Sequence, residues 1–201
     1  MKRAFDVVVA SLALLLLLPV MAVVALSVYV AMGRPVLFRQ PRAGRDAVAF
    51  RVLKFRTMRP PLSPGREFDD DEVRVTKLGR VLRAASLDEL PSLVNVIRGQ
   101  MSLVGPRPLP LHYVPLYSPR QRRRLEVRPG VTGLAQVSGR NSLDWDRRLE
   151  LDVLYVETRS LGLDITILGR TVLRVLRRDG IAMDGYLSSP PFVGDDRYAG
   201  K

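Results

Sequence analysis

The sequence predicts an α+β protein, mainly helical, with an N-terminal apolar membrane helix, interfacial amphipathic helices and a small β element. Three observations indicate this class: a long apolar run at the N-terminus, later segments with one apolar face, and a short stretch where apolar and basic residues alternate. At 201 residues the chain can bury one core without disulfides. It contains no cysteine, which excludes thiolate metal sites and sulfur redox chemistry.

The charge balance predicts an anionic partner. The chain has 32 Lys and Arg against 20 Asp and Glu, a net charge of +12. Nucleic acid, phospholipid headgroups and a phosphorylated substrate all fit this excess. No zinc-finger spacing or RNA-binding aromatic motif is present, and the apolar N-terminus favours a membrane. His112 is the single histidine, which excludes multi-histidine metal sites.

The apolar run covers residues 4–32 and resembles a signal peptide at its start, but no small-residue cleavage site follows its leucine core. As a straight helix it is long enough to cross a bilayer core of ~30 Å. Basic residues flank both ends, however, whereas a spanning helix favours one basic side. A bend at Pro19 would give two arms that enter the bilayer and return. Physical reasoning alone leaves re-entrant and spanning topologies equally open.

The central part of the chain predicts a β-hairpin and four helices. Residues 36–40 are strand-like, and within 48–58 apolar and basic residues alternate from Phe50 to Arg56, which fits a small β-hairpin. The helices are expected at residues 73–85, 118–127, 142–158 and 164–177, the last capped by Asp164. The basic segment 118–127 fits either a helix lying on anionic headgroups or a soluble polar face. Residues 128–141 predict a glycine-rich loop with an embedded strand.

Two adjacent carboxylates, Asp88 and Glu89, precede Pro91 and an apolar run. Proline fits only the first turn of a helix, so the helix is predicted to start at residues 86–88. Ser86 and Glu89 have the spacing of a capping box. Asp88 would then lie at a helix N-terminus, which stabilises an anion. In isolation, such a pair is more often ordinary first-turn acidity.

Several ordered motifs accompany this pair. They are Lys-Arg-Ala-Phe-Asp at 2–6, Lys-Phe-Arg-Thr-Met at 54–58, Ser-Leu-Asp-Glu-Leu-Pro at 86–91, Ser-Leu-Val-Gly-Pro-Arg-Pro at 102–108, and Arg-Pro-Gly through Gly-Arg-Asn at 128–141. Together they make the chain resemble the bacterial sugar transferases, the monotopic phosphoglycosyl transferases that start glycan assembly on a polyprenyl phosphate. The resemblance implies a re-entrant membrane helix at 1–34, a cytoplasmic catalytic domain on the membrane surface at 35–180, and a weakly ordered tail at 181–201.

The resemblance also implies a reaction. A sugar 1-phosphate moves from a UDP-sugar to polyprenyl (undecaprenyl) phosphate through a covalent aspartyl phospho-sugar, with Mg²⁺ present and UMP released. This would be the first membrane step of exopolysaccharide, O-antigen or glycoprotein synthesis, on the cytoplasmic face of the bacterial inner membrane. An N-acetylated amino sugar is favoured over a hexose, no nucleic acid is expected, and an oligomer is compatible with the sequence.

The family motifs assign roles to residues of this chain. Asp88 would be the nucleophile and a metal contact, and Glu89 its partner. The implied phosphate or nucleotide binders are Arg83, Arg107 and Arg140, with Lys54 and Asp152 as further candidates that equally fit an interface lysine and a capping or salt-bridging aspartate. Pro19 would be the membrane kink, while Trp145, Tyr155 and His112 are expected to pack or to lie in loops.

One alternative from another class remains on sequence grounds. A non-catalytic, membrane-anchored basic protein that binds anionic lipid or nucleic acid would share the charge and the apolar N-terminus. Such a protein would be indifferent to Asp88, and its binding to DNA would depend steeply on salt.

Overall fold

The elements of this computed structural model confirm a mainly helical α+β chain, described over residues 1–60, 74–139, 143–177 and 192–194. Its helices are α1 (Lys2–Met32), α2 (Lys77–Ala84), α3 (Ser92–Ile97), α4 (Pro119–Arg122), α5 (Leu134–Ser138), α6 (Trp145–Thr158) and α7 (Leu161–Arg177). Its strands are β1 (Leu37–Ala43), β2 (Ala49–Phe55), β3 (Ser102–Val104) and β4 (Gly130–Thr132).

The strands form two separate pairs. β1 and β2 make the predicted antiparallel hairpin, with Leu37 opposite Phe55. β3 and β4 are parallel, with Ser102 opposite Gly130, and only the β4 part of this pair was predicted. A Cβ at Gly130 would lie 2.1 Å from the Gly105 nitrogen, so glycine is required where the two segments meet. The glycine-rich segment thus serves to pack backbone against backbone.

Helix α1 is continuous across Pro19 rather than divided into two helices by a turn. By length and composition it is the helix of the described chain that could cross a membrane. Ala10 near one end and Val28 near the other are fully buried, while side chains between them, such as Leu16, are mostly exposed. Each end of α1 therefore packs on the folded domain, and the apolar middle of the helix is left uncovered.

Polar contacts fix the N-terminal end of α1. Lys2 Nζ donates to Asp164 Oδ2 at 2.5 Å, and Asp6 Oδ2 accepts from Ser102 Oγ at 2.8 Å. The Tyr155 hydroxyl donates to the second Asp164 oxygen at 2.7 Å. Because these acceptors are buried, their partners offset the cost of removing the charges from water.

The predicted capping role of Asp164 is therefore wrong. α7 begins at Leu161, and the hydroxyl of Ser160 accepts from the Leu163 backbone N–H at 3.1 Å, as a capping side chain does. Asp164 lies within the first turn, almost fully buried, and faces Lys2. The helix begins three residues earlier than predicted, at Leu161. Asp164 is therefore not needed as the cap, and its side chain makes a tertiary contact with Lys2.

The predicted helix at 118–127 is also divided. α4 ends at Arg122 and a 3₁₀ turn, Arg123–Glu126, follows. Arg120 pairs with Glu150 at 2.5 Å, and Arg123 pairs with Glu157 at 2.5 Å. These exposed arginines are neutralised by α6, which favours a soluble polar face over a surface that binds headgroups.

The aromatic residues pack as expected. Trp145, Tyr113 and Phe192 form a cluster with ring centroids 5.4 to 5.7 Å apart, and the His112 ring lies edge-on to Tyr113 at 4.6 Å. Phe192 belongs to the predicted weakly ordered tail, yet its side chain is buried here. Of residues 181–201, the structure describes residues 192–194.

The close approach of α2 to the backbone at Thr57 gives a first prediction. A Cβ at Gly79 would lie 2.0 Å from the Thr57 carbonyl oxygen, whereas Gly169 on α7 has open space around it. Gly79→Ala is expected to destabilise the protein by about 2 kcal/mol through overpacking. Gly169→Ala is expected to stabilise it by about 0.5 kcal/mol, because alanine favours a helix interior. Thermal unfolding in detergent compares them, and equal effects of the two substitutions would contradict the close approach.

Candidate active site

The two adjacent carboxylates lie in a 3₁₀ turn, Leu87–Glu89, and not at the start of an α-helix. The predicted helix start at 86–88 is wrong, since α3 begins at Ser92 with Pro91 as its N-cap residue. Proline has no N–H to donate to the Leu87 carbonyl, so the α-helical bond pattern cannot run through this point. The predicted capping box is absent too: Ser86 has a left-handed backbone (φ 54°) and its side chain makes no cap.

Glu89 is held by two cations. Its Oε1 atom accepts from Lys54 Nζ at 2.6 Å and from Arg107 Nη2 at 2.9 Å. Burial opposes ionisation of this carboxyl, but Arg107 and Lys54 outweigh it and hold the pKa well below its usual range. Glu89 is therefore an anion that is oriented by its partners.

Asp88 is buried but has no comparable partner. Among the described residues, none donates a hydrogen bond to its carboxylate. Burial, reinforced by the adjacent Glu89 charge, raises the pKa of Asp88 above its ordinary value, although Lys54, Arg83 and Arg107 act in the other direction. Its oxygens are thus poorly solvated and retain their lone pairs, as an attacking carboxylate requires.

Arg83 reaches this site from the last turn of α2. Its Nε donates to Thr57 Oγ1 at 3.0 Å, and Nη2 lies 2.8 Å from the Met58 sulfur. Lys54, Thr57 and Met58 belong to one stretch at the end of β2, so a single backbone segment positions both the lysine and the arginine. The charge of Arg83 acts directly on the Asp88 carboxylate.

Arg107 is supported from behind by a buried ion pair. Arg124 Nη2 donates to the Arg107 carbonyl at 2.6 Å and to Asp152 Oδ2 at 2.8 Å. Arg124 also donates to the Tyr117 hydroxyl at 3.1 Å. Asp152 thereby forms a salt bridge, the structural role that the sequence offered as an alternative to phosphate or nucleotide binding. Burial raises the pKa of Asp152, while Arg124 acts against the rise.

Two further arginines border the site and were missed from the sequence. Burial, and then the charge of Arg107, lowers the pKa of Arg42 to about 10. Burial and Arg107 also lower the pKa of Arg148, which stacks on Trp145 with 4.6 Å from guanidinium carbon to ring centroid. Mutual repulsion among cations favours an anion between them. No local sequence pattern marked Arg42, which is placed here by tertiary contacts: the backbone N–H of its neighbour Ala43 donates to the Leu109 carbonyl at 3.0 Å.

The structure thus brings together Asp88, Glu89, Lys54, Arg83 and Arg107. Asp152 lies behind Arg107, and Pro19 lies in α1. Arg140 is outside the described residues. In this site Asp88 accepts no hydrogen bond from the described residues, whereas the adjacent Glu89 is bound by Lys54 and Arg107. The positive charges of Lys54, Arg83 and Arg107 all act on Asp88.

The donor chemistry fits Mg²⁺. Among the described residues, there is no group of three or more histidine, cysteine or carboxylate side chains that would enclose a metal. Mg²⁺ needs no such cage, because it binds one or two carboxylates and takes its other ligands from water and substrate phosphates. Asp88 is the carboxylate with free lone pairs to contribute. The presence of Mg²⁺ stays a prediction.

The site geometry and the fold agree with the family assignment. The chain belongs to the bacterial sugar transferases, whose family model matches residues 1–178. It is 44% identical over 198 residues to the uncharacterized sugar transferase EpsL of Bacillus subtilis, covering 96% of each chain. It is 43% identical to the UDP-glucose:undecaprenyl-phosphate glucose-1-phosphate transferase of Caulobacter vibrioides, covering 89% of this chain and 70% of that one. It is also 40% identical to the exopolysaccharide production protein ExoY of Rhizobium meliloti, covering 85% of this chain and 83% of that one.

These findings confirm the resemblance and the enzyme class. The protein is a transferase, and its long apolar helix together with its family indicates membrane association. The alternative of a non-catalytic basic binding protein is set aside.

The contrast between the two carboxylates predicts opposite effects on stability. Asp88 has a raised pKa, so at pH 7 its charge lowers the stability of the fold, and Asp88→Asn should raise the melting temperature. Glu89 has a lowered pKa, so its charge stabilises the fold at pH 7, and Glu89→Gln should cost about 2 kcal/mol. Thermal unfolding of both variants at pH 7 is the measurement.

The sign of each effect can be checked by lowering the pH. Well below the ordinary pKa of 3.8, Asp88 is protonated in both the folded and the unfolded state, so the gain of Asp88→Asn should vanish. The stability that Glu89 contributes is lost only as the pH falls through its lowered pKa, so the cost of Glu89→Gln should persist further into acid. A loss of stability from both substitutions at pH 7 would contradict the assignment.

Proposed function

We propose that the protein transfers a sugar 1-phosphate from a UDP-sugar to polyprenyl phosphate through a covalent intermediate on Asp88. One observation supports this most: Asp88 is a buried carboxylate that accepts no hydrogen bond from any described residue, next to a carboxylate that Lys54 and Arg107 hold in place. A merely structural acid in such a position would be paired. Two relatives are named as UDP-glucose:undecaprenyl-phosphate glucose-1-phosphate transferases, and a third as a UDP-galactose-lipid carrier transferase.

In the first step, an oxygen of Asp88 attacks the β-phosphorus of the UDP-sugar. A bond forms between this oxygen and the phosphorus, and the bond from the phosphorus to the bridging oxygen breaks. UMP leaves with that oxygen, and the sugar phosphate stays on Asp88 as an acyl phosphate. Arg83 and Arg107 lie where they can offset the negative charge of a diphosphate approaching a carboxylate.

In the second step, a phosphate oxygen of the polyprenyl phosphate attacks the same phosphorus. The bond between phosphorus and the Asp88 oxygen breaks, which restores the carboxylate and gives a polyprenyl diphospho-sugar. Glu89 holds Lys54 and Arg107 through both steps, so the cations keep their positions while the charge on Asp88 changes. Mg²⁺, when bound at Asp88, would supply further neutralisation of phosphate charge.

The contacts of α1 support a re-entrant topology. Arg3 at its first turn donates to the Val96 and Ile97 carbonyls at 2.6 and 2.9 Å. Arg56 donates to the carbonyls of Met32 and Gly33 at its other end. A helix that crossed a core of ~30 Å could not hold one folded domain at both ends. The exposed middle of α1 would enter the bilayer, with the catalytic domain on the cytoplasmic face.

The identity of the sugar is proposed at the level of class. The expectation from the sequence is an N-acetylated amino sugar, whereas the relatives that are named with a sugar are named for glucose or galactose. A panel of UDP-hexoses and UDP-2-acetamido sugars, each assayed for UMP release, separates the two classes.

The proposed reaction predicts UMP as the nucleotide product and a loss of activity in acid as Asp88 becomes protonated. Purified protein with a UDP-sugar, Mg²⁺ and undecaprenyl phosphate should release UMP, and Asp88→Asn should lower the rate by at least about 10³-fold. Because only the ionised carboxylate attacks and the pKa of Asp88 in the free enzyme is raised, kcat/KM should fall in acid with a midpoint above the ordinary value of 3.8. UDP as the product, or full activity of Asp88→Asn, would contradict the proposal.

The topology can be tested by cysteine labelling, because the chain has no cysteine of its own. Ala4 is exposed at the start of the apolar run, and Arg45 is exposed beyond its end. In intact cells, single cysteines at both positions should be protected from a membrane-impermeant maleimide, and both should react after lysis. A cysteine at Leu16 is the control, which should react only in detergent. Labelling of one terminal position in intact cells would show that α1 spans the membrane.

A further inference from the structure

The side chain of Asn95 is fully engaged although it touches no group of the candidate site. It lies on α3 and is 1% exposed. Its Oδ1 accepts from the Leu53 backbone N–H at 3.0 Å, and its Nδ2 donates to the Arg51 carbonyl at 2.9 Å. Nδ2 also donates to Gln100 Oε1 at 2.7 Å. The Oδ1 atom of Asn95 and both N–H bonds of its Nδ2 are therefore engaged in hydrogen bonds.

These bonds continue the β-ladder at the edge of β2 that faces away from β1. A neighbouring strand would accept from one N–H of β2 and donate to a carbonyl two residues away, and the Asn95 amide does both. Backbone groups at a buried strand edge need such partners. A single side chain therefore takes the place of a third strand and attaches α3 to β2.

The two elements that Asn95 connects carry the two halves of the ion pair. Lys54 directly follows Leu53 on β2. On the other side, α3 follows the carboxylate turn, and its Ser92 hydroxyl donates to the Glu89 carbonyl at 2.5 Å. Directional hydrogen bonds thus connect Lys54 to Glu89 in two places. The Asn95 amide joins β2 to α3, and the Ser92 hydroxyl joins α3 to the carboxylate turn.

Apolar contacts also join these elements, since Val52, Leu93 and Val96 belong to one buried cluster. Such contacts are not directional and tolerate a slide of the strand along the helix. An ion pair of 2.6 Å between Lys54 and Glu89 does not tolerate such a slide. The amide is the contact that sets the register of β2 against α3.

We infer that Asn95 is a positioning residue, which fixes Lys54 against Glu89 and so keeps the cations in place around Asp88. The structural part of this inference stands on the hydrogen bonds alone. Its consequence for turnover rests on the proposed transferase function.

The structural part is tested by a double-mutant cycle that needs no activity. Lys54→Met and Glu89→Gln, singly and together, give the coupling between these residues as a difference of melting temperatures. The cycle is measured in three backgrounds: wild type, Asn95→Leu and Val96→Ala. Val96 is the matched control, a fully buried neighbour on α3 whose side chain makes no polar bond.

The coupling should be present in the wild type and in Val96→Ala, and lost in Asn95→Leu. A residue that only stabilises the fold would lower all melting temperatures in a background and leave the coupling unchanged. An unchanged coupling in Asn95→Leu would therefore overturn the inference, even if that variant were much less stable.

The second arm measures UMP release. Asn95→Leu should slow it about 10²-fold, and Val96→Ala less than tenfold at a similar loss of melting temperature. If the coupling is lost but the rate of Asn95→Leu equals that of Val96→Ala, the positioning role in catalysis is overturned. If the wild type releases no UMP, the proposed function fails, while the cycle still decides the structural role of Asn95.

Discussion

One carboxylate oxygen, Glu89 Oε1, holds the candidate active site together. It accepts from Lys54 of β2 and from Arg107 of the segment between β3 and α4, and so joins three parts of the chain that are far apart in sequence. Because both cations are engaged by Glu89, neither is drawn onto Asp88, which is left buried and without a hydrogen-bond donor among the described residues. The two carboxylates are neighbours in sequence, yet their surroundings shift their pKa values in opposite directions.

The same elements connect the membrane helix to the site. The N-terminal end of α1 is bound through Arg3 to the carbonyls that end α3, the helix directly behind the carboxylate turn. The C-terminal end is bound by Arg56, two residues after Lys54. Each end of α1 thus contacts one of the two elements that Asn95 joins. In the proposed re-entrant topology, this arrangement would place the candidate active site close to the membrane surface.

Much of this arrangement was predictable from local sequence, and the rest was not, for physical reasons. The β1–β2 hairpin follows from alternation, which is a local pattern. The carboxylate turn was predicted as a helix start, because capping-box spacing and a proline do not reveal that the Leu87 carbonyl accepts from Leu90, three residues later, which makes a 3₁₀ turn. The parallel β3–β4 pair joins two strands of three residues, too short to alternate visibly. Asn95 and Arg42 looked like ordinary polar residues, since their importance comes from contacts with distant segments.

In the proposed reaction Asp88 takes up the sugar phosphate, although Glu89 is the carboxylate that Lys54 and Arg107 hold in place. The most direct test of this role of Asp88 is peptide mapping by mass spectrometry after the enzyme is mixed with a UDP-sugar, without lipid acceptor, and quenched rapidly in acid. We expect one added sugar phosphate on the peptide that contains Asp88 and Glu89, and fragmentation of this peptide should place the adduct on Asp88. The adduct should disappear when polyprenyl phosphate is added. An adduct on Glu89, or UMP release without any covalent adduct, would contradict this role.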